Sequence, residues 1–180
     1  MLDRIIMITL VSGTNRPNSW TRKVVEVYKN QLDEKGIDYQ ILDLMHLPKN
    51  LFDIEMYGNK DIEFAELEAK ILFPTTKYVF VIPEYNGSFP GVLKLLIDGS
   101  DIKNSFHHKK AALVGVSDGR AGNLRGMDDL TNVLNHMKIN VLHCKIPVSS
   151  VSKQFDKNGD FISPETLKLI NHQIDLLVAM

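Results

Sequence analysis

The sequence predicts a three-layer α/β/α sandwich on a five-stranded parallel sheet, in one domain that spans residues 1–180. Short β-like runs alternate with longer helical ones along the whole chain, and such an alternation gives parallel strands joined by right-handed helical crossovers. A chain of 180 residues also suits five strands better than the six of a dinucleotide-binding fold. These two observations favour the strand order 2-1-3-4-5.

The predicted strands are short apolar runs, most of them continuous enough to be buried on both faces of a sheet. The first is Ile5–Val11, and the second is marked by the alternation of Ile37, Tyr39 and Ile41. The five predicted strands cover residues 5–11, 37–41, 78–82, 111–116 and 140–148.

The predicted helices have apolar residues at helical spacing. Ser19 is the expected N-cap of the first helix and Gly36 its end, Pro90 opens the third helix in its first turn, and Ser163 with Pro164 starts the last. The segment 45–60 is irregular but apolar, so it is expected to cover part of the core. The predicted helices cover residues 20–35, 61–72, 90–101, 124–137 and 164–177.

The charge balance and the single cysteine exclude several classes of protein. Lys and Arg number 21 and Asp and Glu 22, which gives a net charge of −1. This balance provides no electrostatic footprint for nucleic acid or an anionic membrane. One cysteine, Cys144, excludes a disulfide framework and a multi-cysteine zinc site, so a reduced, cytoplasmic location is expected.

The start of the chain is expected to hold neither a membrane span nor a signal peptide. Its apolar run, Ile5–Val11, is too short to cross a bilayer, and the Met-Leu-Asp-Arg head has no net positive charge. His107 and His108 lack a carboxylate or thiol at ligand spacing, so we expect them on the surface and predict no metal site.

Three unusual loops are predicted to meet in one crevice. In the strand order 2-1-3-4-5, ligands bind beyond the carboxyl ends of the strands, where the order reverses between the first and third strands. We refer to residues 12–21 as the first loop, 83–90 as the second loop and 117–123 as the third loop.

The first loop has the composition of an anion site. It joins a buried strand to a helix N-terminus, where free N–H groups and the helix dipole attract negative charge. Hydroxyl groups at positions 12, 14, 19 and 21 and the guanidinium of Arg16 are suitable donors to a terminal monophosphate. An ordinary polar turn with a Ser19 cap is the alternative interpretation.

The other two loops suit a planar ligand. Pro83 and Pro90 bracket a rigid turn that presents backbone N–H and C=O groups, with Tyr85 or Phe89 as an apolar face. In the third loop, Gly119 and Gly122 permit close backbone approach, with Arg120 beside them. The alternatives are an ordinary strand-to-helix turn and a glycine turn with a solvated arginine.

These loops resemble those of the NADPH-dependent FMN reductase family, whose fold is flavodoxin-like. The stretch Pro-Glu-Tyr-Asn-Gly-Ser-Phe-Pro-Gly-Val-Leu-Lys at 83–94 is similar to the most diagnostic segment of that family. The Ser-Gly-Thr-Asn-Arg-Pro-Asn-Ser run at 12–19, the Ser-x-Gly-Arg-x-Gly run at 117–122 and the Phe-Asp-x-x-Gly run at 155–159 also fit. The resemblance covers essentially the whole chain.

The resemblance implies non-covalent FMN as cofactor and NADPH or NADH as co-substrate. It implies that Thr14, Arg16, Ser19 and Thr21 hold the FMN phosphate, that residues 83–87 line the isoalloxazine, and that the third loop lies beside it. With the additional hydroxyl and glycine of the loops, the predicted cofactor-binding residues are Ser12, Thr14, Arg16, Ser19, Thr21, Pro83, Glu84, Tyr85, Asn86, Gly87, Ser117, Gly119, Arg120 and Gly122.

The predicted activity is transfer of hydride or electrons through the flavin to a small acceptor. The acceptor is a quinone, a free flavin, an azo compound or a metal oxyanion, as the resemblance implies. The chemistry belongs to the flavin, so no side chain is nominated as catalytic. A homodimer or homotetramer is expected, because the third helix is apolar around most of its circumference. Gly99 stands where many members of the family have Trp.

Two alternatives from other classes share the fold. A flavodoxin-type electron carrier would bind FMN without turning over NAD(P)H, but such carriers are markedly acidic, whereas this chain is balanced at 21 against 22. A serine hydrolase would use Ser12 or Ser19 with His172 and Asp175, but no nucleophile elbow is present.

Overall fold

The computed structural model describes residues 7–52 and 61–180, and its strands form one parallel sheet. Ile5 and Ile6 of the predicted first strand, and residues 53–60 of the irregular segment, lie outside the described residues. The strands are β1 (Ile8–Ser12), β2 (Tyr39–Asp43), β3 (Lys77–Pro83), β4 (Lys110–Val116), β5 (Asn140–Val141) and β6 (Ile146–Val148).

The sheet confirms the predicted strand order. The strands lie in the order β2-β1-β3-β4-β5, with β6 also paired to β4. β5 and β6 thus form two halves of one fifth strand, and all the pairings are parallel.

The helices lie where they were predicted, with small differences at their ends. The π-helical turn Glu68–Leu72 extends α2, and the predicted third helix ends at Gly99, two residues early, before a separate short helix. Pro90 is the N-cap of that third helix and does not lie in its first turn. The helices are α1 (Trp20–Glu34), α2 (Ile62–Leu67), α3 (Gly91–Gly99), α4 (Ile102–Ser105), α5 (Leu124–His136) and α6 (Pro164–Ala179).

Helices cover both faces of the sheet, which gives the predicted three layers. Successive strand residues point to opposite faces of the sheet. On one face, Leu10 packs with Val24 of α1 and Ile174 of α6. On the other face, Val11 packs with Leu93 and other apolar residues from α2 to α5. Both faces are buried, which explains why the strands appear in the sequence as continuous apolar runs.

The fifth strand is interrupted, contrary to the continuous strand predicted at 140–148. Gln173 of α6 is fully buried, and its Nε2 donates to the carbonyl oxygens of Leu113 at 3.1 Å and Cys144 at 2.6 Å. Its Oε1 accepts from Tyr28 Oη at 3.0 Å. The side chain thus replaces ladder hydrogen bonds that the break between β5 and β6 removes. Cys144 lies in the break and is partly exposed.

Strand register brings the three loops to one edge of the sheet. Ser12, the last residue of β1, pairs with Val81 of β3, and Pro83, the last residue of β3, pairs with Val116 of β4. The carboxyl ends of these strands are therefore neighbours, as predicted. Among the described residues, no helix combines the length and the apolar character that a membrane crossing needs.

Candidate functional site

A cleft of about 480 Å³ lies where the three loops meet, and we refer to it as the main cleft. Its volume lies in the range of small-molecule sites, about 300–1,000 Å³. Seven predicted residues line it: Arg16, Ser19, Thr21, Pro83, Glu84, Tyr85 and Ser117. Six further residues line it that sequence reasoning did not select: Pro17, Asn18, Trp20, Val116, Asp118 and Val151.

The N-terminus of α1 presents free backbone donors to this cleft. Ser19 is the N-cap, as predicted, and its Oγ accepts from the N–H of Arg22 at 3.2 Å. The first N–H groups of a helix have no acceptor within it, so those of Trp20 and Thr21 remain for a ligand. The helix dipole adds positive potential at the same place. The geometry suits an anion.

The first loop holds two further donors that the described protein leaves unused. The guanidinium of Arg16 is exposed and forms no ion pair in the described ranges 7–52 and 61–180. The Oγ of Ser12 is buried, lies outside the lining of the main cleft and has no hydrogen-bond partner among the described residues. A buried hydroxyl without a partner carries a free-energy cost, which marks this loop as prepared for a polar ligand.

Thr14 connects the first loop to the second instead of lining the main cleft. Its Oγ1 lies 2.7 Å from Tyr85 Oη and also accepts from the N–H of Arg16 at 3.2 Å. The loop lies close to β3 here, because Gly13 N donates to Val81 O at 2.9 Å. A Cβ on Gly13 would stand 2.8 Å from that same oxygen.

The second loop contains a tight hairpin turn. Tyr85 N donates to Ser88 O at 2.9 Å, and Ser88 N donates to Tyr85 O at 3.1 Å. Asn86 and Gly87 between them both have positive φ, 53° and 81°, as a type I′ turn requires. These two residues do not line the main cleft, and they shape the turn that presents Glu84 and Tyr85 to it.

Asn123 holds the second loop against α5, a role that the sequence did not reveal. Its Nδ2 donates to the carbonyl oxygens of Ile82 at 3.1 Å and Pro83 at 2.9 Å. Its Oδ1 accepts from Gly126 N at 3.1 Å, so it caps α5 from a left-handed conformation. One buried amide thereby fixes the end of β3 relative to the third loop.

The third loop is tied to the chain that follows β6. Ser117 N donates to Val148 O at 3.1 Å, and Val151 N donates to Ser117 O at 3.2 Å, which brings Val151 to the cleft. Asp118 Oδ1 accepts from Ser152 N at 2.9 Å, and hydrogen bonding from Ser152 lowers the pKa of Asp118. The cleft therefore keeps one carboxylate ionised at this rim.

Three predicted residues of the third loop do not line the main cleft. Gly119 N donates to Ser117 Oγ at 3.0 Å and so shapes the loop. Gly122 has a φ of 55°, and a Cβ there would stand 2.7 Å from Pro147, so this glycine serves packing. Arg120 is exposed outside the cleft lining.

Among the described residues, no hydrogen bond joins Ser12 or Ser19 to His172. Ser19 Oγ is used as the α1 cap, and Asp175 forms an ion pair with Lys35 at 2.7 Å. His172 is exposed on α6. The structure does not assemble these groups into a nucleophilic site.

Comparison with known proteins identifies the family. The model of the NADPH-dependent FMN reductase family matches residues 6–153. The chain belongs to this family. It is therefore an NAD(P)H-dependent flavin oxidoreductase, with FMN as cofactor, in agreement with the sequence resemblance.

Two relatives of this FMN reductase are matched over nearly their whole length. It is 26% identical to an NAD(P)H-dependent FMN reductase of Pseudomonas aeruginosa, covering 96% of this chain and 93% of the relative. It is 24% identical to a 2-hydroxy-1,4-benzoquinone reductase of a Burkholderia species, covering 97% and 95%. The solved structure of FerB, a flavoenzyme NAD(P)H:(acceptor) oxidoreductase of Paracoccus denitrificans, has the same fold, with a TM-score of 0.79, 21% identity and 97% and 96% coverage.

The residues present in this FMN reductase fit its cofactor. Within the described part of the chain, the N–H groups that open α1 and the guanidinium of Arg16 have no partner, and they are donors of the kind that a phosphate dianion needs. The rigid backbone at 83–85 supplies polar groups, and Tyr85 supplies an aromatic side chain, for a planar ring. Both ends of a flavin mononucleotide therefore find matching chemistry in one cleft.

Proposed function

We propose that the main cleft is the FMN site and that electrons pass from NAD(P)H through it to a quinone. The first loop, with Arg16, Ser19 and Thr21, holds the phosphate. The second loop, with Glu84 and Tyr85, lies along the ring, and Ser117 closes the opposite side. The single observation that carries this assignment is that one cleft contains both a helix N-terminus with free donors and the rigid 83–85 backbone.

The chain contributes binding and orientation, while bound FMN supplies the chemistry by accepting hydride and passing electrons on. Asn123 fixes the backbone at Pro83, and the Thr14–Tyr85 hydrogen bond fixes Tyr85. The protein surface that receives the flavin ring is therefore rigid before FMN binds. Trp20 and Val151 contribute apolar residues to the walls of the cleft. No side chain is needed as a general acid or base.

A quinone is the acceptor class that we propose. Quinones are planar and apolar, so they stack on the same ring face as nicotinamide, and the Burkholderia relative is named for reducing one. Sharing one face predicts that the acceptor enters after oxidised NAD(P) leaves. Plots of reciprocal rate against reciprocal NAD(P)H concentration, at several fixed quinone concentrations, should give parallel lines. Intersecting lines would contradict this order of events.

The phosphate assignment is tested with two flavins. FMN and riboflavin differ only in the phosphate, so Arg16→Gln should weaken FMN binding about tenfold and leave riboflavin binding unchanged. Dissociation constants come from quenching of flavin fluorescence. Lys168→Gln on α6 is the control, because Lys168 is exposed and lies outside the main cleft. Equal losses for both flavins would contradict the assignment.

We further propose a homodimer or homotetramer in which a second copy covers α3. Val92 and Leu95 on α3 are only partly buried and line a groove of about 530 Å³ that also includes Tyr85 and Asn15. The groove thus adjoins the main cleft through Tyr85. Leu95→Asp should dissociate the assembly in sedimentation velocity, whereas Leu169→Asp on α6 should not.

We also propose that the enzyme works in the cytoplasm, where NAD(P)H is supplied. The single, partly exposed Cys144 is consistent with a reducing compartment. Fractionation of cells that carry a tagged chain tests this, and recovery with membranes or outside the cell would contradict it.

A further inference from the structure

A second cleft of about 340 Å³ adjoins the main cleft on the β2 side of the first loop. The two clefts share Arg16, Asn18 and Ser19. The register pairs Ser12 at the end of β1 with Asp43 at the end of β2. A group bound in the second cleft therefore lies next to the place proposed for the FMN phosphate.

Cations dominate the wall of the second cleft nearest the first loop. Arg16, Arg22 and Lys23 line it, against one carboxylate, that of Asp43. Arg22 is committed to ion pairs with Asp43 at 3.1 Å and Glu26 at 3.0 Å. Arg16 and Lys23 form no ion pair with any described residue, and Lys23 Nζ lies 4.4 Å from the Trp20 ring centroid. This wall suits phosphate groups.

The far wall of the second cleft has different chemistry. Asp43 Oδ1 accepts from the N–H of Met45 at 3.1 Å, which fixes the carboxylate at the end of β2. A carboxylate at this place in nucleotide-binding α/β folds accepts hydrogen bonds from ribose hydroxyls. Beyond it, the exposed thioether of Met45 and the imidazole of His46 offer surface to a flat heterocycle.

We propose that the second cleft binds the adenosine diphosphate half of a dinucleotide. Lys23 pairs with the diphosphate, and Arg16, whose guanidinium has five N–H donors, bridges it to the neighbouring FMN phosphate. Asp43 accepts from the ribose, and Met45 and His46 contact the adenine. The inference rests on the proposed position of FMN. The same chemistry has two sources, FAD bound in place of FMN, or NAD(P)H whose nicotinamide reaches the bound flavin.

The first experiment titrates ADP into the FMN-loaded protein by calorimetry. Met45→Glu places a negative charge in the second cleft, and it should raise the dissociation constant of ADP at least about tenfold. The matched control is Leu169→Glu, because Met45 and Leu169 are exposed to 44% and 45% and only Met45 lines the cleft. Lys23→Gln should weaken ADP binding severalfold, whereas Lys29→Gln on the same helix should leave ADP binding unchanged.

Each variant is also titrated with FMN. An unchanged dissociation constant for FMN together with weaker ADP binding supports an ADP site in the second cleft. Absence of FMN binding in the wild type would instead contradict the proposed function by itself. Failure of ADP to bind, or equal binding by Met45→Glu and Leu169→Glu, overturns the inference. ADP should also bind more tightly than its 2′-phosphorylated form, because Asp43 repels that phosphate, and the reverse order overturns the role of Asp43.

A second experiment distinguishes the two sources. If FAD is the occupant, Met45→Glu weakens binding of FAD to the flavin-free protein about tenfold and leaves FMN unaffected. If NAD(P)H is the occupant, Met45→Glu raises the KM for the reduced dinucleotide at unchanged kcat, and ADP inhibits competitively. If Met45→Glu changes neither the dissociation constant of FAD nor the KM for the reduced dinucleotide, the inference is overturned.

Discussion

The hydroxyl groups of Thr14 and Tyr85 lie 2.7 Å apart and join the first loop to the second. Both loops contribute to the main cleft, one at the N-terminus of α1 and the other at the rigid turn after β3. Thr14 is buried, so its hydroxyl depends on this contact and on the N–H of Arg16. The bond therefore sets the distance between the two ends of the main cleft.

Removing this bond should weaken FMN binding without unfolding the protein. Tyr85→Phe keeps the aromatic surface and deletes one hydrogen bond, a net loss of about 1 kcal/mol, or about fivefold in the dissociation constant. Fluorescence titration measures it. Tyr39→Phe is the control, since it deletes an exposed bond to Asp33, at 2.9 Å, outside the cleft lining. Equal affinities for the wild type and Tyr85→Phe would show that the link is not needed.

The meeting of the three loops at one cleft was predictable from the sequence, but the hydrogen bonds that join the loops were not. Loop position follows from strand order, and hydroxyl and proline composition marks the loops directly. Thr14 has the residue type of a phosphate ligand, yet its hydroxyl bonds Tyr85, 71 residues away. Val151 reaches the cleft only because Ser117 accepts its N–H. Contacts between distant segments leave no local pattern.

Gly122 should be far less tolerant of substitution than Gly159, although both have positive φ, 55° and 91°. Alanine at either position incurs backbone strain of about 1 kcal/mol. At Gly122 the new Cβ also stands 2.7 Å from Pro147, whereas at Gly159 nothing lies within 4 Å. Overpacking adds about 1–3 kcal/mol, so urea unfolding should show Gly122→Ala as the less stable variant. Equal losses would mean that Pro147 yields without cost.

Gln173 should carry an unusually large share of stability for a single polar residue. Gln173→Leu leaves the carbonyl oxygens of Leu113 and Cys144 and the hydroxyl of Tyr28 without their partner, at a cost of about 2–4 kcal/mol. Tyr28→Phe removes only one of these bonds and should cost about 1 kcal/mol. Urea unfolding compares the two. A Gln173→Leu loss no larger than that of Tyr28→Phe would contradict the bridging role.

The same glutamine explains why the broken strand escaped prediction. Val141, Leu142, Ile146 and Val148 continue the apolar character of a strand across the break. The interruption is stable only because an amide on α6 accommodates the unpaired carbonyl oxygens. By contrast, β1, β3 and β4 were predictable because burial on both faces requires apolar residues throughout.

Lys109 lies at the opposite end of the sheet and gives the protein a distinct pH dependence. Its Nζ donates to the carbonyl oxygens of Leu72 at 2.6 Å and Phe73 at 3.2 Å. Burial disfavours the charged ammonium and lowers the pKa of Lys109 to about 8. In the unfolded chain the same amine titrates at about 10.4.

Between these two values the unfolded state binds more protons than the folded state, so the free energy of unfolding should rise with pH. Urea unfolding from pH 7.5 to 9.5 should show the wild type gaining stability relative to Lys109→Met, and exposed Lys157→Met should follow the wild type. Burial also lowers the pKa of Lys77, which adds to the rise, and raises the pKa of Cys144, which opposes it. Both contributions cancel in the comparison, because the variant retains both residues. Parallel pH profiles for the wild type and Lys109→Met would therefore show that this ammonium keeps its proton on folding.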